Sequence, residues 1–541
     1  MNLDEKVGQL FVIGVRAGAS LDALEHFVRD RHIGGLIWFQ STTAETARVN
    51  AHLQSLARVP LLISADLEAG MGMRFTDATW WPPAMAIAAT GDPSFAEEQG
   101  RATAREALRI GVNHIFAPVA DVNVDPRNPV INTRSFGEDP HEVARYVAAF
   151  IRGVQSEGCL ATAKHFPGHG DTHVDSHRAL PVLEVTRERL EQVELVPFRA
   201  AIAAGVASVM MGHLAVPVLD DTPAPVRASF ENVYGTASAE VPHAGTMPAT
   251  LSKRIIDLLR HELGFDGLVI TDAMDMGGLA AHFDPGEAAV RAIEAGEDQV
   301  LFSPDPEAAI AAVRKNVSEK RIDESVERIL RVKARLNDKS RESAPHPPAA
   351  PSPHRDEAAV GRRLPIDDSR EGHGQVAFSP RRGEKVPKAD EGSLSRDSAA
   401  ETIAQRSITL VRDTHSLLPL RAARIATVVV NPHGDSLDDA LRELGETTDI
   451  EAAEVLLLLL AIRPKSGAGT IGVPEEIREL ARRHAHKTIA VAFGSPYVLR
   501  ELGDVSTFVC AWGVQPLLQI AAVRALRGET GMPGRLPVRI E

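Results

Sequence analysis

Short apolar runs alternate with longer helical patterns through roughly the first 337 residues of the chain. Several of these runs are continuously apolar, which is typical of strands buried on both faces of a parallel sheet. Eight such units in this length predict a (β/α)8 barrel of the TIM type, with a doubly wound sheet as the alternative. The predicted strands are Leu10–Gly14, Gly34–Phe39, Leu61–Asp66, His114–Ala120, Ala161–Phe166, Ser208–Gly212, Gly267–Thr271 and Gln299–Phe302.

The composition changes abruptly after Asn337. Residues 338–395 are rich in Pro, Ser, Gly and charge, so they bury too little apolar area to offset their chain entropy and are predicted to form a disordered linker. It joins a catalytic barrel at 1–337 to a smaller open-sheet α/β domain at 396–541. The glycine-rich stretch Ser466–Gly472 lacks the strand and helix context of a phosphate loop, so a plain loop is favoured. Strands of the second domain are predicted at 408–412, Ile425–Val430, Glu454–Ile462, Thr488–Phe493 and Thr507–Trp512.

Charge and cysteine content exclude several classes of function. The net charge of −14 disfavours nucleic acid as a partner, because phosphate binding needs a basic face. Cys159 and Cys510 are too few for a disulfide framework and lie in apolar runs, so buried free thiols are expected. The sequence begins MNLDEKVGQLFVIG, which is not a signal peptide, and the apolar run Val455–Ile462 is too short to span a bilayer. No membrane association is expected, and the chain as given is predicted to be cytoplasmic; a trimmed export signal would leave the same sequence.

The densest polar cluster is KHFPGHGDTHVDSH, which starts at Lys164 and follows a predicted strand. Its four histidines are spaced by four residues, which on a helix would align metal ligands. The Pro and Gly residues within the segment break such a helix, so a loop is the better interpretation. In a loop, the Asp175 carboxylate can orient the His177 ring and stabilise its charged form. The alternative is a surface loop whose histidines only cap and solvate.

A second group of polar residues lies at the carboxyl ends of other predicted strands. Asp272 follows the strand Gly267–Thr271, where a carboxylate at a barrel mouth is typical of a catalytic group. A helix N-cap is the alternative for Asp272, and also for Asp275. The remaining candidates would together suit a polyhydroxylated ligand, although Arg134 could also form a structural ion pair; they are Asp66, Arg134, Lys164, His165 and His213.

Four segments of the first part carry a family resemblance, namely VNVDPRNPVINTRSFGEDP, KHFPGHGDTHVDSH, PATLS and GFDGLVITDAMDMGGL. They resemble glycoside hydrolase family 3, specifically its β-N-acetylglucosaminidase branch, which includes enzymes of peptidoglycan recycling. ITLVRD and VAFGSPYVLRELGDVSTFVCAWG are similar to the family's second domain. The resemblance implies that Asp272 is the nucleophile and that His177 and Asp175 form the acid/base pair. It also implies that sugar hydroxyls are held by Asp66, Arg134, Lys164 and His165. The chain departs from the branch after Asp66, where LEAGMGMRF replaces the usual Gln-Glu-Gly-Gly-Arg run, and in its long polar linker.

The resemblance implies a retaining, exo-acting hydrolase that releases terminal β-linked N-acetylglucosamine. A carboxylate nucleophile with a histidine acid/base requires no metal or organic cofactor. Peptidoglycan-derived muropeptides or chitooligosaccharides are the expected carbohydrate substrates. A phosphorylase is an alternative, because a neutral His177 does not repel phosphate, and so is a β-glucosidase of the same family. Alternatives from other classes are a metal-dependent amidohydrolase, against which the chain lacks an evident His-x-His after its first strand, and a non-catalytic sugar-binding protein.

Overall fold

The structure is a computed structural model that describes residues 1–16, 18–225, 227, 245–337, 398–445, 448–464 and 472–540. The predicted linker at 338–395 lies outside the described residues, and so does the glycine-rich stretch at 466–471. The described parts on either side of the linker each contain one β-sheet.

Eight parallel strands form the first sheet in the order β7-β6-β5-β4-β3-β2-β1-β8. An isolated parallel bridge between Ile270 and Gln299 joins the two ends, so the sheet closes into a barrel. The predicted barrel is therefore confirmed, and the doubly wound alternative is wrong. The strands are β1 (Phe11–Val15), β2 (Gly35–Trp38), β3 (Leu62–Ala65), β4 (His114–Ile115), β5 (Leu160–Phe166), β6 (Ser208–Met211), β7 (Leu268–Thr271) and β8 (Val300–Leu301).

All eight predicted barrel strands are present, and their continuous apolar runs are buried on both faces. One set of alternating side chains fills the barrel interior, where residues from different strands pack in a single cluster: Val12, Ile37, Phe116, Met210, Ile270 and Leu301. The strand predicted at His114–Ala120 is shorter than expected, since regular pairing ends at Ile115 and Pro118 has no N–H to donate to a ladder.

Helices surround the barrel and pack against the outward-facing side chains of the strands. Several begin at a capping carboxylate followed by proline, as at Asp139 and Pro140, which satisfies backbone N–H groups at the helix start. The helices of this part are α1 (Leu3–Gln9), α2 (Leu21–Arg29), α3 (Thr43–Leu56), α4 (Ala84–Ala89), α5 (Ser94–Arg109), α6 (Pro140–Ser156), α7 (Arg187–Gln192), α8 (Leu195–Ala203), α9 (Lys253–Asp257), α10 (Gly277–Ala280), α11 (Pro285–Ala295), α12 (Pro306–Asn316) and α13 (Glu319–Asn337).

The second sheet has the order β10-β11-β12-β13-β9, in which only β9 is antiparallel to its neighbour. It is the open α/β sheet that the sequence predicts, and β11, an interior strand with the six-residue run VLLLLL, is entirely buried. Its elements are α14 (Ser398–Ser407), β9 (Thr409–Asp413), β10 (Ile425–Val430), α15 (Asp438–Leu444), β11 (Val455–Leu460), α16 (Glu475–Arg483), β12 (Thr488–Ala492), β13 (Thr507–Cys510) and α17 (Pro516–Leu526).

The second sheet's domain packs against the barrel loop that follows β4. Asn123 of this loop donates a hydrogen bond to the Tyr497 hydroxyl at 2.8 Å, and Asn132 donates one to Ser495 Oγ at 3.1 Å. Asn132 begins the short 3-10 turn that ends at Arg134. The second domain therefore supports the backbone that carries one of the predicted site residues.

Two further expectations concern the cysteines and the membrane. Cys159 and Cys510 are both buried free thiols, as predicted, and burial raises the pKa of each. Within the part of the chain that the structure describes, no helix combines the length and the apolar character needed to cross a bilayer.

Candidate active site

The barrel brings the sequence-predicted site residues to the carboxyl ends of its strands, the end at which barrel enzymes hold their substrates. Asp66 directly follows β3, Lys164 and His165 lie on β5, and Asp272 directly follows β7. Arg134 and His213 lie in the loops after β4 and β6. These residues are far apart in sequence, and only closure of the sheet places them around one opening.

Five charged side chains form a continuous network on one side of this opening. Lys164 Nζ, almost fully buried, lies 2.7 Å from Asp66 Oδ1 and 2.8 Å from Glu68 Oε1. Arg134 makes a bidentate pair with Glu68, and Arg74 Nη2 lies 2.5 Å from Asp66 Oδ2. Two carboxylates and three cations alternate, so each buried charge has a partner of opposite sign.

The network keeps its members ionised despite burial. Burial alone would raise the pKa of Asp66, but Lys164 and Arg74 outweigh it and lower that pKa to about 2. Burial likewise opposes the charge on Glu68, yet Arg134 and Lys164 hold the Glu68 pKa well below its ordinary value. Burial alone would lower the pKa of Lys164, but Asp66 and Glu68 outweigh burial, so the Lys164 pKa lies above its ordinary value. Charged donors and acceptors fixed in this way suit the hydroxyl groups of a sugar.

Glu68, Arg74 and Asp121 take part in the site but were not predicted from the sequence. Glu68 and Arg74 lie in the segment after Asp66 that departs from the family's usual run. Glu68 could have been predicted from its spacing, because it follows the strand-terminal Asp66 by two residues. Both side chains therefore lie in one loop at the barrel mouth. For Arg134, the sequence also allowed a structural ion pair, and its contact with Glu68 is such a pair. Its role in binding the substrate stays a prediction.

Asp272 lies at the end of β7 with its carboxylate half-buried. Its backbone N–H donates to the Met211 carbonyl, and its Oδ1 accepts a 2.7 Å hydrogen bond from the Ala273 N–H. Burial raises the pKa of Asp272, but the nearby His165 and His213 rings and the Ala273 hydrogen bond outweigh burial, so the pKa lies below its ordinary value. An ionised carboxylate at neutral pH is the state that a nucleophile requires.

The N-cap interpretation of the two aspartates in this loop is not realised. Helix α10 begins at Gly277 with Met276 as its N-cap residue, and no side chain makes a capping hydrogen bond there. Asp275 is instead a buried carboxyl group whose pKa burial raises to about 6, with Arg16 as its ion-pair neighbour at 3.9 Å.

His165 is oriented by a buried carboxylate in the loop after β4. Its Nδ1 lies 2.7 Å from Asp121 Oδ2, and its backbone N–H donates to Asp121 Oδ1 at 3.2 Å. The His169 N–H donates to the same Oδ1 at 2.7 Å. Asp121 therefore orients the His165 ring and ties it to the start of the loop that follows β5.

Asp175 and His177, whose acid/base role stays a prediction, contact each other in this loop. His177 Nδ1 lies 2.8 Å from Asp175 Oδ1, which also accepts the His177 backbone N–H at 2.9 Å. The Asp175 side chain is 2% exposed, whereas the His177 side chain is 16% exposed, so the ring is the more accessible member of the pair. The two hydrogen bonds to one carboxylate oxygen give the imidazole a fixed orientation.

His213 is fully buried and engages protein atoms with both ring nitrogens. Nδ1 lies 2.8 Å from Thr250 Oγ1, and Nε2 lies 2.9 Å from the Ala273 carbonyl oxygen. Burial lowers the pKa of His213. The ring thereby supports the backbone beside Asp272, while direct contact with a substrate stays a prediction.

The histidines of the β5 loop do not gather around a common point. The rings of His165, His169 and His177 each pair with a different protein group, namely Asp121, Thr172 and Asp175. Among the described residues, no group of three or more His, Cys, Asp or Glu side chains is arranged to hold a metal ion.

A closed (β/α)8 barrel with carboxylates, cations and oriented histidines at its carboxyl end defines a barrel enzyme. Residues 2–332 match the model of the glycosyl hydrolase family 3 N-terminal domain. The chain therefore belongs to glycoside hydrolase family 3, as its motifs predict, and it is a glycoside hydrolase that acts on a carbohydrate.

Three proteins that are similar to this chain have related descriptions. This chain is 31% identical over 581 residues to a β-N-acetylglucosaminidase/β-glucosidase from Cellulomonas fimi, and the match covers 99% of this chain and 94% of that protein. It is similar in structure to a family 3 β-N-acetylglucosaminidase from Paenibacillus sp., with a TM-score of 0.78, 29% identity and 100% and 99% of the two chains covered. The β-hexosaminidase LpqI of Mycobacterium tuberculosis is 33% identical over 314 residues, which is 55% of this chain and 72% of that protein.

Proposed function

We propose that the protein is a retaining exo-β-N-acetylglucosaminidase that removes terminal β-linked N-acetylglucosamine, with Asp272 as nucleophile and His177 as acid/base. The observation that carries the proposal is the combination of an ionised Asp272 at the end of β7 with the His177–Asp175 pair in the β5 loop. The names of the relatives from Cellulomonas fimi and Paenibacillus sp. support N-acetylglucosamine as the sugar.

In the first step, a carboxylate oxygen of Asp272 attacks the anomeric carbon while the bond to the leaving oxygen breaks. With Nδ1 held by Asp175, Nε2 of the His177 imidazolium carries the proton that passes to the leaving oxygen. The product of this step is a glycosyl ester of Asp272 and a neutral His177. The network around Lys164 and Glu68 holds the sugar hydroxyls meanwhile.

In the second step, His177 takes a proton from water and the water oxygen attacks the anomeric carbon. The ester bond to Asp272 breaks, which restores the carboxylate and the imidazolium. Two inversions at one carbon give a product with the β configuration of the substrate. General acid/base help of this kind contributes about 10²- to 10⁴-fold to the rate.

Fragments of peptidoglycan and chitooligosaccharides are the proposed sources of the terminal sugar. A phosphorylase is the second candidate, because a neutral His177 beside the anomeric carbon would not repel a phosphate nucleophile as a carboxylate base would. A β-glucosidase is the third candidate, because the Cellulomonas fimi relative is described as a β-glucosidase as well as a β-N-acetylglucosaminidase.

One experiment separates these candidates. The protein is incubated with 4-nitrophenyl β-N-acetylglucosaminide, with and without phosphate, and the first product is followed by proton NMR. We expect free N-acetylglucosamine formed initially as the β-anomer in both conditions. Initial α-anomer would reject retention, the 1-phosphate sugar would establish a phosphorylase, and faster release from the matching glucoside would reject the preference for N-acetylglucosamine.

A further inference from the structure

The acid/base pair lies on a tight turn that contacts the loop of the nucleophile. The Arg178 and Ala179 N–H groups both donate to the Asp175 carbonyl, at 2.9 and 3.1 Å, and thereby close the turn around His177. On the other side of the contact, helix α10 begins at Gly277, five residues after Asp272.

Two backbone hydrogen bonds join these segments. The Gly277 N–H donates to the His177 carbonyl oxygen at 3.1 Å, and the Gly278 N–H donates to the Ser176 carbonyl oxygen at 2.9 Å. The first N–H groups of a helix have no partner within the helix. The turn that carries the acid/base pair therefore supplies the acceptors for the start of α10.

The contact is too close for a side chain at either glycine. A Cβ atom on Gly277 would lie 2.6 Å from the His177 carbonyl oxygen, and one on Gly278 would lie 2.9 Å from the Ser176 carbonyl oxygen. Both obstacles are backbone atoms of the turn, which cannot rotate away as a flexible side chain can. Any larger residue at these positions must move the turn, α10 or both.

The two ends of the β5 loop are held elsewhere. Near its start, Gly170 packs so closely on the Val122 carbonyl that a Cβ atom there would lie 1.7 Å from that oxygen. Near its end, the Ala215 N–H donates to the Pro181 carbonyl at 2.8 Å. The contact with α10 lies between these anchors, where the loop carries its reactive group.

We infer that Gly277 and Gly278 are positioning residues that set the location of His177 relative to Asp272. The inference rests on the proposed function, since it assigns a role to the distance between the proposed acid/base and the proposed nucleophile. The two backbone hydrogen bonds connect the loop of His177 directly to the loop of Asp272, so the position of His177 depends on no intervening side chain. Loss of the link displaces the proton donor and leaves Asp272 on its strand.

The test compares leaving groups in Gly277→Ala and Gly278→Ala. Cleavage of a disaccharide, which needs a proton donor, should fall by about 10- to 100-fold, part of the full contribution of an acid/base group. Formation of the glycosyl-enzyme from a dinitrophenyl glycoside, whose phenolate leaves unaided, should stay within about threefold of the unmodified protein because it needs no acid. Azide should speed breakdown of the glycosyl-enzyme in the variants. Gly531→Ala is the matched control, because a Cβ atom there meets open space.

The outcomes separate a failure of this inference from a failure of the proposed function. If the unmodified protein does not release N-acetylglucosamine, or if His177→Gly fails to show the same dependence on the leaving group, the proposed function fails. If His177→Gly behaves as expected but the glycine variants lose both substrates equally, or lose neither, the positioning role is wrong. Melting temperatures identify a variant that does not fold. If Gly277→Ala does not fold, the comparison is made with Gly278→Ala, because the Cβ atom at Gly278 would be farther from the nearest backbone atom, at 2.9 Å instead of 2.6 Å.

Hydrogen exchange on the unmodified protein needs no variant. Because helix geometry gives the Gly277 and Gly278 amides no partner within α10, their protection reports contact with the turn at His177. We expect both amides to exchange at least about 10²-fold more slowly than unprotected amides. Exchange at the unprotected rate would show that the contact is not maintained and would overturn the inference.

Discussion

Arg134 Nε and Nη2 each donate a 2.8 Å hydrogen bond to a different carboxylate oxygen of Glu68. Glu68 also faces Lys164, so this one carboxylate orients two cations, one from the loop after β4 and one from β5. Glu68→Gln should lower kcat/KM by about 10- to 100-fold, because small displacements of groups that hold the substrate are costly. The substitution should also lower the melting temperature, since the buried Lys164 and Arg134 lose the negative charge of Glu68 that offsets their own.

Steady-state kinetics and thermal melting check this expectation. Glu142→Gln is the control, because Glu142 pairs with Arg145 on the surface, where such pairs contribute little. Unchanged kinetics in Glu68→Gln would mean that the network does not hold the substrate.

The nucleophile assignment predicts a specific covalent adduct. Asp272→Asn should lower turnover by at least about 10³-fold with an unchanged melting temperature, because the amide cannot form the ester. A fluorinated N-acetylglucosaminide should label the unmodified chain on the peptide that contains Asp272, and fragmentation in a mass spectrometer should locate it there. The same loop contains Asp275, which supplies an internal comparison, and a label on Asp275 would overturn the assignment.

The acid/base assignment predicts a dependence on the leaving group. His177→Gly should reduce cleavage of a disaccharide by about 10²- to 10⁴-fold while sparing the first step on a dinitrophenyl glycoside. The glycosyl-enzyme should then accumulate, because no base activates water, and azide should accelerate its breakdown. Asp175→Ala should give a weaker version of this pattern, since it removes the orienting partner but keeps the imidazole. Equal losses on both substrates would exclude His177 and direct the search to His169 or His173.

Lys333 predicts a pH dependence of stability away from the site. It lies on α13, almost fully buried, and donates to Gln9 Oε1 at 2.7 Å, and burial lowers its pKa from 10.5 to about 7. The unfolded chain therefore binds the Lys333 proton more tightly than the folded chain does. As a consequence, the free energy of unfolding rises with pH between about 7 and 10.5, and this gain is lost again as the pH falls to 7. Across that window the change amounts to at most about 5 kcal/mol.

Lys333→Met removes the titrating group. We therefore expect the stability of the variant relative to the unmodified protein to be more favourable at pH 7 than at pH 10, measured by denaturant unfolding. The loss of the hydrogen bond to Gln9 is common to both pH values and cancels in this comparison. Lys315→Met, at an exposed position on α12, should show no such difference, and an equal effect of Lys333→Met at both pH values would contradict the expectation.

The architecture and the main candidate residues of the site can be predicted from the sequence alone. Continuous apolar runs such as VLLLLL at β11 and LVIT at β7 are predictive because strands buried on both faces admit few polar residues. The polar residues directly after such runs, including Asp66 and Asp272, were identifiable because parallel strands place their carboxyl ends at one edge. The pairing of Asp175 with His177 was also predictable, since a separation of two residues allows a local contact.

Contacts between residues from distant parts of the chain could be found only in the folded structure. Asp121 meets His165 across 44 positions and Glu68 meets Arg134 across 66, and no local pattern encodes such contacts. The contact of Gly277 with the His177 carbonyl could not be predicted from the sequence either, because a glycine at the start of a short helix has many other uses. Periodicity and composition report the burial of each segment, whereas the closure of the barrel selects which segments meet.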